Sequence, residues 1–279
     1  MLYIEFWNGQ TYRENFMPQL AIAILANAGG VGKSTLATHV AYELGNCGYR
    51  VAMFDLDPQR SLNVFCGLPR LNGGSTMANV LSKDFVGDWV LAKAWGESSG
   101  VEVCQGHPLL AEVANDLVIR TRGEYTLADR LENYPLPHDV VIFDCPATLG
   151  MLNVNALAAA THLLVPIQLE MKAIAGSAEL VEWLVRTSEE LRLKPRPSIL
   201  GFVPSMYDES LAMHRQYLHQ LPEITKQLDI KLYPTVRVSS EFMNASAYGL
   251  PLHKYRPRHS ACQDFKQIVN DLVKLIEHT

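Results

Sequence analysis

A basic excess is missing from this 279-residue chain: 24 Lys and Arg stand against 29 Asp and Glu, a formal net charge of −5. Binding to nucleic acid through overall charge is therefore excluded, and only a local basic patch could serve. Cysteine is scarce and scattered (Cys47, Cys66, Cys104, Cys145, Cys262), with no C-x-x-C spacing. That argues against a disulfide framework or a cluster ligand set, and for reduced, mostly buried thiols. No apolar run reaches the length of a membrane span; the longest, Leu157 to Ile167, is broken by Thr161, His162 and Pro166. The first stretch, Met1 to Gln19, carries Glu5, Arg13 and Glu14 and lacks the apolar core of a secretory signal. Internal repeats, low-complexity tracts and an interdomain linker are absent too. What remains is a chain with 48% hydrophobic residues, able to bury a substantial core.

The stretch that organises it is Asn27-Ala28-Gly29-Gly30-Val31-Gly32-Lys33-Ser34-Thr35, between an apolar run (Leu20 to Leu25) and a helical pattern (Leu36 to Leu44). Three glycines in four positions let the backbone curl with its N–H groups inward, and the helix N-terminus adds partial positive charge at the same spot. Lys33 supplies a mobile cation for outer phosphates, and the Ser34 hydroxyl suits a Mg²⁺ ligand. Strand, loop and helix together read as a nucleotide phosphate cradle. Strict G-x-x-x-x-G-K-[ST] spacing would place glycine at position 27, where the chain has Asn27.

Downstream, apolar runs alternate with helical stretches. Strands are expected at Tyr49 to Phe54, Val101 to Cys104, Asp139 to Asp144, His162 to Ile167 and Ser198 to Val203. Helices are expected around Leu109 to Leu117, Thr126 to Tyr134 (with Thr126 and Asp129 as a capping pair), Met151 to Ala160, Ala173 to Leu193, Leu211 to Leu228 and Ala261 to His278. The pattern predicts an α/β fold: a mainly parallel twisted sheet with helices on both faces, residues 20–279 forming one domain after an extension over 1–19. Leu2 to Trp7 could add an edge strand. In such folds ligands sit at the carboxyl ends of strands, where the glycine loop, Asp57 and Asp144 all fall. Asp144 is placed to hold Mg²⁺, directly or through water. Asp57 either positions a water for phosphoryl transfer or is simply the turn residue before Pro58.

The motif series resembles the deviant-Walker ATPases of the ParA/MinD family, on its ParA side. It runs from Gly29 to Thr35 through Asp55-Leu56-Asp57-Pro58-Gln59, Asp144-Cys145-Pro146 and Pro166-Ile167-Gln168-Leu169-Glu170. It continues through Met206-Tyr207-Asp208, Val236-Arg237-Val238-Ser239 and Tyr248-Gly249-Leu250-Pro251. The resemblance implies a deviant-Walker P-loop NTPase that binds ATP and Mg²⁺, pairs as an ATP-dependent homodimer and hydrolyses slowly until a small adaptor or activator protein stimulates it. It implies non-specific DNA binding and a cytoplasmic, nucleoid-associated location. It places ATP on Ala28, Gly29, Gly30, Val31, Gly32, Lys33, Ser34 and Thr35, the metal on Ser34 and Asp144, and catalysis on Lys33, Asp57 and Asp144.

One departure stands out. The family signature has a second lysine just before the glycine pair, reaching the partner subunit's phosphates; this chain has Ala28. Either pairing is weak, or another lysine substitutes. Lys172 is the candidate, with a solvated lysine at a helix start as the alternative. The McdA branch, which spaces carboxysomes over the nucleoid, resembles this chain in lacking the lysine, and implies positioning of a protein cargo, with plasmid or chromosome partition of the ParA type as the alternative.

Arg237, Lys254, Arg256 and Arg258 form a locally basic C-terminal stretch, read as a DNA surface or as a solvated face. The last helix reads as core-facing rather than as a MinD-like membrane anchor, because Asp264, Asp271 and Glu277 offset Lys266 and Lys274. A metabolic P-loop enzyme is the reading from another class; no small-substrate pocket or cluster cysteine pair is legible for it.

Overall fold

The structure is a computed structural model and describes residues 20–71 and 75–278. The possible edge strand at Leu2 to Trp7, with the rest of the 1–19 extension, lies outside the described residues. Among the described residues, one sheet contains β1 (Leu20–Ile24), β2 (Val51–Asp55), β3 (Ala92–Lys93), β4 (Val101–Cys104), β5 (Val140–Asp144), β6 (His162–Gln168) and β7 (Ser198–Ser205). Its order is β3-β4-β2-β5-β1-β6-β7, parallel throughout except where β3 runs against β4.

The unbroken apolar runs arise because successive side chains point to opposite faces and both faces are covered. Leu20, Ile22 and Ile24 enter one core with Val51, Met53, Val140 and Ile142. Ala21 and Ala23 enter the other with Ala52, Phe54, Val141 and Phe143. On the first face lie α1 (Lys33–Asn46) and α2 (Ser61–Phe65), which bury Leu36, Val40, Leu44 and Leu62. The second face takes α3 (Met77–Val80), α4 (Leu110–Ile119), α5 (Thr126–Asn133), α6 (Met151–Ala159) and α7 (Met171–Glu190). Beyond them α8 (Ala212–Gln227) packs Tyr217 and Leu221 on Leu169. The chain then returns to the first face as α9 (Ser240–Ala247), α10 (Leu252–Tyr255) and α11 (Lys266–His278).

Two local expectations are corrected. Thr126 makes no side-chain cap, because a 3₁₀ turn over Gly123–Tyr125 leads directly into α5; Asp129 instead pairs with Arg122 at 2.7 Å. The tail is not one helix from Ala261: a 3₁₀ segment, Ser260–Phe265, precedes α11. The short elements α2, α3, α9, α10 and β3 escape a periodicity reading because the helices have at most eight residues and the strand has two. The apolar face of α11 buries Ile268, Val269 and Leu272 within the protein, and no described helix is long and apolar enough to cross a membrane.

Strand register sets the site. Asp144 at the carboxyl end of β5 is in register with Ile24 of β1 on one side and Asp55 of β2 on the other. The loop after β1 therefore emerges beside β5, with β2 one strand further on, and both of these strands end in an acid.

Candidate functional site

Gly30 and Gly32 adopt φ of 74° and 84°, left-handed values that a side chain would strain, and they turn the loop tightly into α1. Gly32 caps that helix without a side chain, so its first-turn amides face outward, ready for an anion. Ser205, at the end of β7, braces the loop by donating from Oγ to the Val31 carbonyl at 2.7 Å. Lys33 is almost fully buried and its Nζ donates to the Ala28 carbonyl at 3.0 Å. Burial lowers its pKa, against opposing pulls from Asp144, Cys145 and Asp57.

Both Asp144 carboxylate oxygens are buried without a hydrogen-bond partner. Burial pushes this carboxyl up to about 7; the nearby Ser34 hydroxyl and Lys33 ammonium favour the charged form without closing a bond of normal length onto either oxygen, and Asp57 adds repulsion. An orphaned, buried acid next to a hydroxyl and an ammonium is the donor set a hydrated Mg²⁺ fits. Asp55, also buried, is raised well above the usual carboxylate range by burial and by Asp144. Its role is structural: it accepts from the Asp57 and Leu62 N–H groups and so fixes the turn. Asp57 Oδ1 accepts from the Gln59 N–H at 2.9 Å, the turn geometry expected before Pro58, which leaves its second oxygen for other work. Gly106 makes this approach possible. A Cβ there would meet Asp55 Cγ and the Asp57 carbonyl, each at 2.8 Å.

Next to Gly32 and Thr35 opens a pocket of about 260 Å³ with apolar walls from Pro166, Met206, Val236, Phe242 and Met243. It lies where a base tethered to phosphates on the loop would reach. The sequence showed its segments but not their convergence, because residues 236–238 come alongside the end of β7 through long-range backbone pairing at Pro204 and Tyr207. His39 was missed as well. Its Nε2 accepts from the Leu252 N–H at 3.0 Å, so Nδ1 carries the proton and donates to the Thr35 carbonyl at 2.6 Å. The ring stacks on Phe265, and burial holds its pKa down to about 3. A neutral imidazole thus ties the first turn of α1 to the C-terminal segment.

The basic stretch is narrower than its sequence suggests. Arg237, though its side chain is 44% exposed, acts as a strut: it grips the buried Asp264 through two nitrogens (2.9 and 2.7 Å) and donates to Ser260 Oγ at 3.0 Å. Lys254 donates to the Trp95 carbonyl, and Arg256 pairs with Glu241 at 3.0 Å. Among the described residues, Arg258 alone of the four is exposed with no such partner. Arg237→Ala is therefore expected to destabilise the fold by about 1–3 kcal/mol by leaving buried Asp264 without its counter-charge, held only by the backbone N–H of residue 237, a loss read as a lower denaturation midpoint. Lys172 is exposed in the first turn of α7, at the same sheet edge as the loop.

A family model described as an AAA domain matches residues 19–196. The chromosome partitioning protein ParA of Caulobacter vibrioides is 31% identical over 262 residues, covering 92% of this chain and 94% of that protein. Among solved structures, an ATP complex of McdA from Cyanothece aligns with a TM-score of 0.80 at 20% identity, covering 91% of this chain and 96% of that one. Cobyrinic acid a,c-diamide synthase of Mycobacterium smegmatis, bound to ADP and magnesium, aligns at 0.69 with 27% identity, covering 86% and 97%. With the family model spanning more than half the chain and a ParA similar along nearly all of it, the chain belongs to the ParA/MinD family of P-loop ATPases.

Proposed function

We propose that this chain is an ATP-dependent positioning ATPase that uses non-specific DNA as its matrix. The observation that carries the reading is the partnerless, buried Asp144 beside Lys33 on a glycine loop that ends at a helix N-terminus. Residues Ala28 to Lys33 cradle the phosphates, with Thr35 toward the α-phosphate. Ser34 and Asp144 hold Mg²⁺, Asp144 through water. When bound, the metal neutralises charge on the outer phosphates. Asp57 orients the attacking water, its turn rigidified by Asp55. Lys33 leaves the Ala28 carbonyl for a phosphate oxygen.

In this reading two ATP-loaded chains face each other across their loops. Ala28 leaves phosphate charge at that junction uncompensated, and Lys172 supplies the cation across it. A small adaptor protein stimulates hydrolysis and links the ATPase to its cargo. A protein assembly such as a carboxysome is the cargo implied by the McdA resemblance. Chromosome or plasmid partition is the second reading, favoured by the likeness to Caulobacter ParA. The setting for either is the cytoplasm, on the nucleoid.

Light scattering tests the pairing. ATP with Mg²⁺ is expected to double the mass of the wild type and of Asp57→Ala. Lys172→Ala should bind ATP normally yet shift the dimer equilibrium by about tenfold or more toward monomer. An unchanged dimer would remove Lys172 from the account. A monomer at saturating ATP in both the wild type and Asp57→Ala would sink the pairing itself.

A further inference from the structure

Asn27, which stands where strict loop spacing places glycine, is held by a contact that spans 149 positions of sequence. Its Nδ2 donates to the carbonyl of Gly176, inside α7, at 2.8 Å. Gly176 is shaped for that contact: the three nearest atoms a Cβ there would meet all belong to the Asn27 side chain, Nδ2 at 2.7, Oδ1 at 3.3 and Cγ at 3.4 Å. Around it the loop lies closely on the helix. A void of only about 10 Å³ separates Asn27, Ala28 and Val31 from Ala173, Ser177 and Leu180. On the loop side, the neighbouring Ala28 carbonyl is where the Lys33 ammonium rests. On the helix side, Gly176 lies little more than one turn from Met171 and Lys172, whose side chains are exposed.

We propose that Asn27 is a positioning residue for nucleotide binding. It ties the phosphate loop to α7, so that drawing Lys33 off the Ala28 carbonyl onto a phosphate is registered at the first turn of that helix. The inference rests on the nucleotide-site reading above and extends it. The loop reports its occupancy through residues 27 and 28 to the surface that carries Lys172. A hydrogen bond is directional and short-ranged, so a shift of the 27–28 peptide must either move α7 or break the bond. An alanine or glycine at position 27 would leave the loop free to move alone.

The test uses ADP with Mg²⁺ as the probe, at protein concentrations where light scattering shows a monomer. Three readouts are combined: ADP affinity by calorimetry, hydrogen exchange of peptides covering 28–35 and 171–177, and the melting temperature without nucleotide. For Asn27→Ala the expected result is an affinity lower by about three- to tenfold, because a loop no longer tied to α7 must be ordered by the nucleotide itself. ADP should still slow exchange in the loop but no longer in the first turn of α7, and the nucleotide-free melting temperature should fall by no more than the few degrees that losing one hydrogen bond brings. Gly176→Ala should weaken ADP binding in the wild-type background and cost little in the Asn27→Ala background, because the atoms it collides with are gone. If Asn27→Ala keeps the ADP-dependent protection of α7, or if Gly176→Ala costs the same in both backgrounds, the inference is overturned while the nucleotide site stands. If the wild type fails to bind ADP, the nucleotide reading falls and this inference falls with it.

Discussion

Asp144→Asn should make the nucleotide-free protein more stable and catalytically dead. The carboxylate sits at the end of the central strand β5, buried, with both oxygens lacking partners. Its pKa is about 7 because burial disfavours the charge more than Lys33 and Ser34 relieve it. The folded state therefore binds a proton that the unfolded chain releases near its ordinary carboxylate value. Between those two values stability declines as pH rises, and above about pH 7 the full penalty is present. A neutral amide of the same shape removes it. A gain of about 1–3 kcal/mol is expected at pH 8, shrinking as pH falls toward 4, and thermal melts across that range measure it. Without the carboxylate the metal loses its anchor, and hydrolysis should fall by about a hundredfold or more. A variant that loses both stability and activity would contradict the reading of Asp144 as a group held under strain for a metal.

Lys33→Ala is expected to abolish ATP binding within the range of calorimetry, a loss of about a hundredfold or more. The ammonium is the one cation on the loop itself, and it donates to a backbone carbonyl, that of Ala28. A neutral carbonyl is readily exchanged for a phosphate oxygen, so the lysine is poised rather than locked. Removing it also takes away an opposite charge that lowers the Asp144 pKa, so that carboxyl should rise further. Binding of Mg²⁺ to the wild type requires the ionised form and should release up to about half a proton at pH 7. Calorimetry in buffers of different ionisation enthalpy reads that release. Retained ATP affinity in Lys33→Ala would mean that the phosphates lie elsewhere.

Much of this was legible in the chain because it is local. β5 and its terminal acid follow from four apolar residues closed by Asp144, and the glycine loop carries its own geometry in Gly30 and Gly32. What escaped is long-range. Nothing near Asn27 points to Gly176, and nothing near Arg237 announces Asp264, 27 positions away; each partner is set by how helices fold back on the sheet. Ser205 bracing Val31 is of the same kind, 174 positions apart. Arg237 shows the consequence most clearly. Counted as charge along the sequence it belongs to a basic surface, yet in the fold its guanidinium neutralises a buried acid. His39 hid for another reason: on the buried face of α1 it looks like one more core position, and only its two hydrogen bonds show that it joins the loop helix to the C-terminal segment.

The central claim is that ATP converts this acidic protein into one that holds DNA. Its most direct test is retention of a non-specific duplex in a mobility-shift series from about 50 to 300 mM salt, with and without ATP and Mg²⁺. The account predicts retention only with ATP, fading steeply as salt rises, and weakened by Arg258→Ala while ATP binding is unchanged. Absence of retention at the lowest salt with saturating ATP, or equal retention without nucleotide, would contradict it.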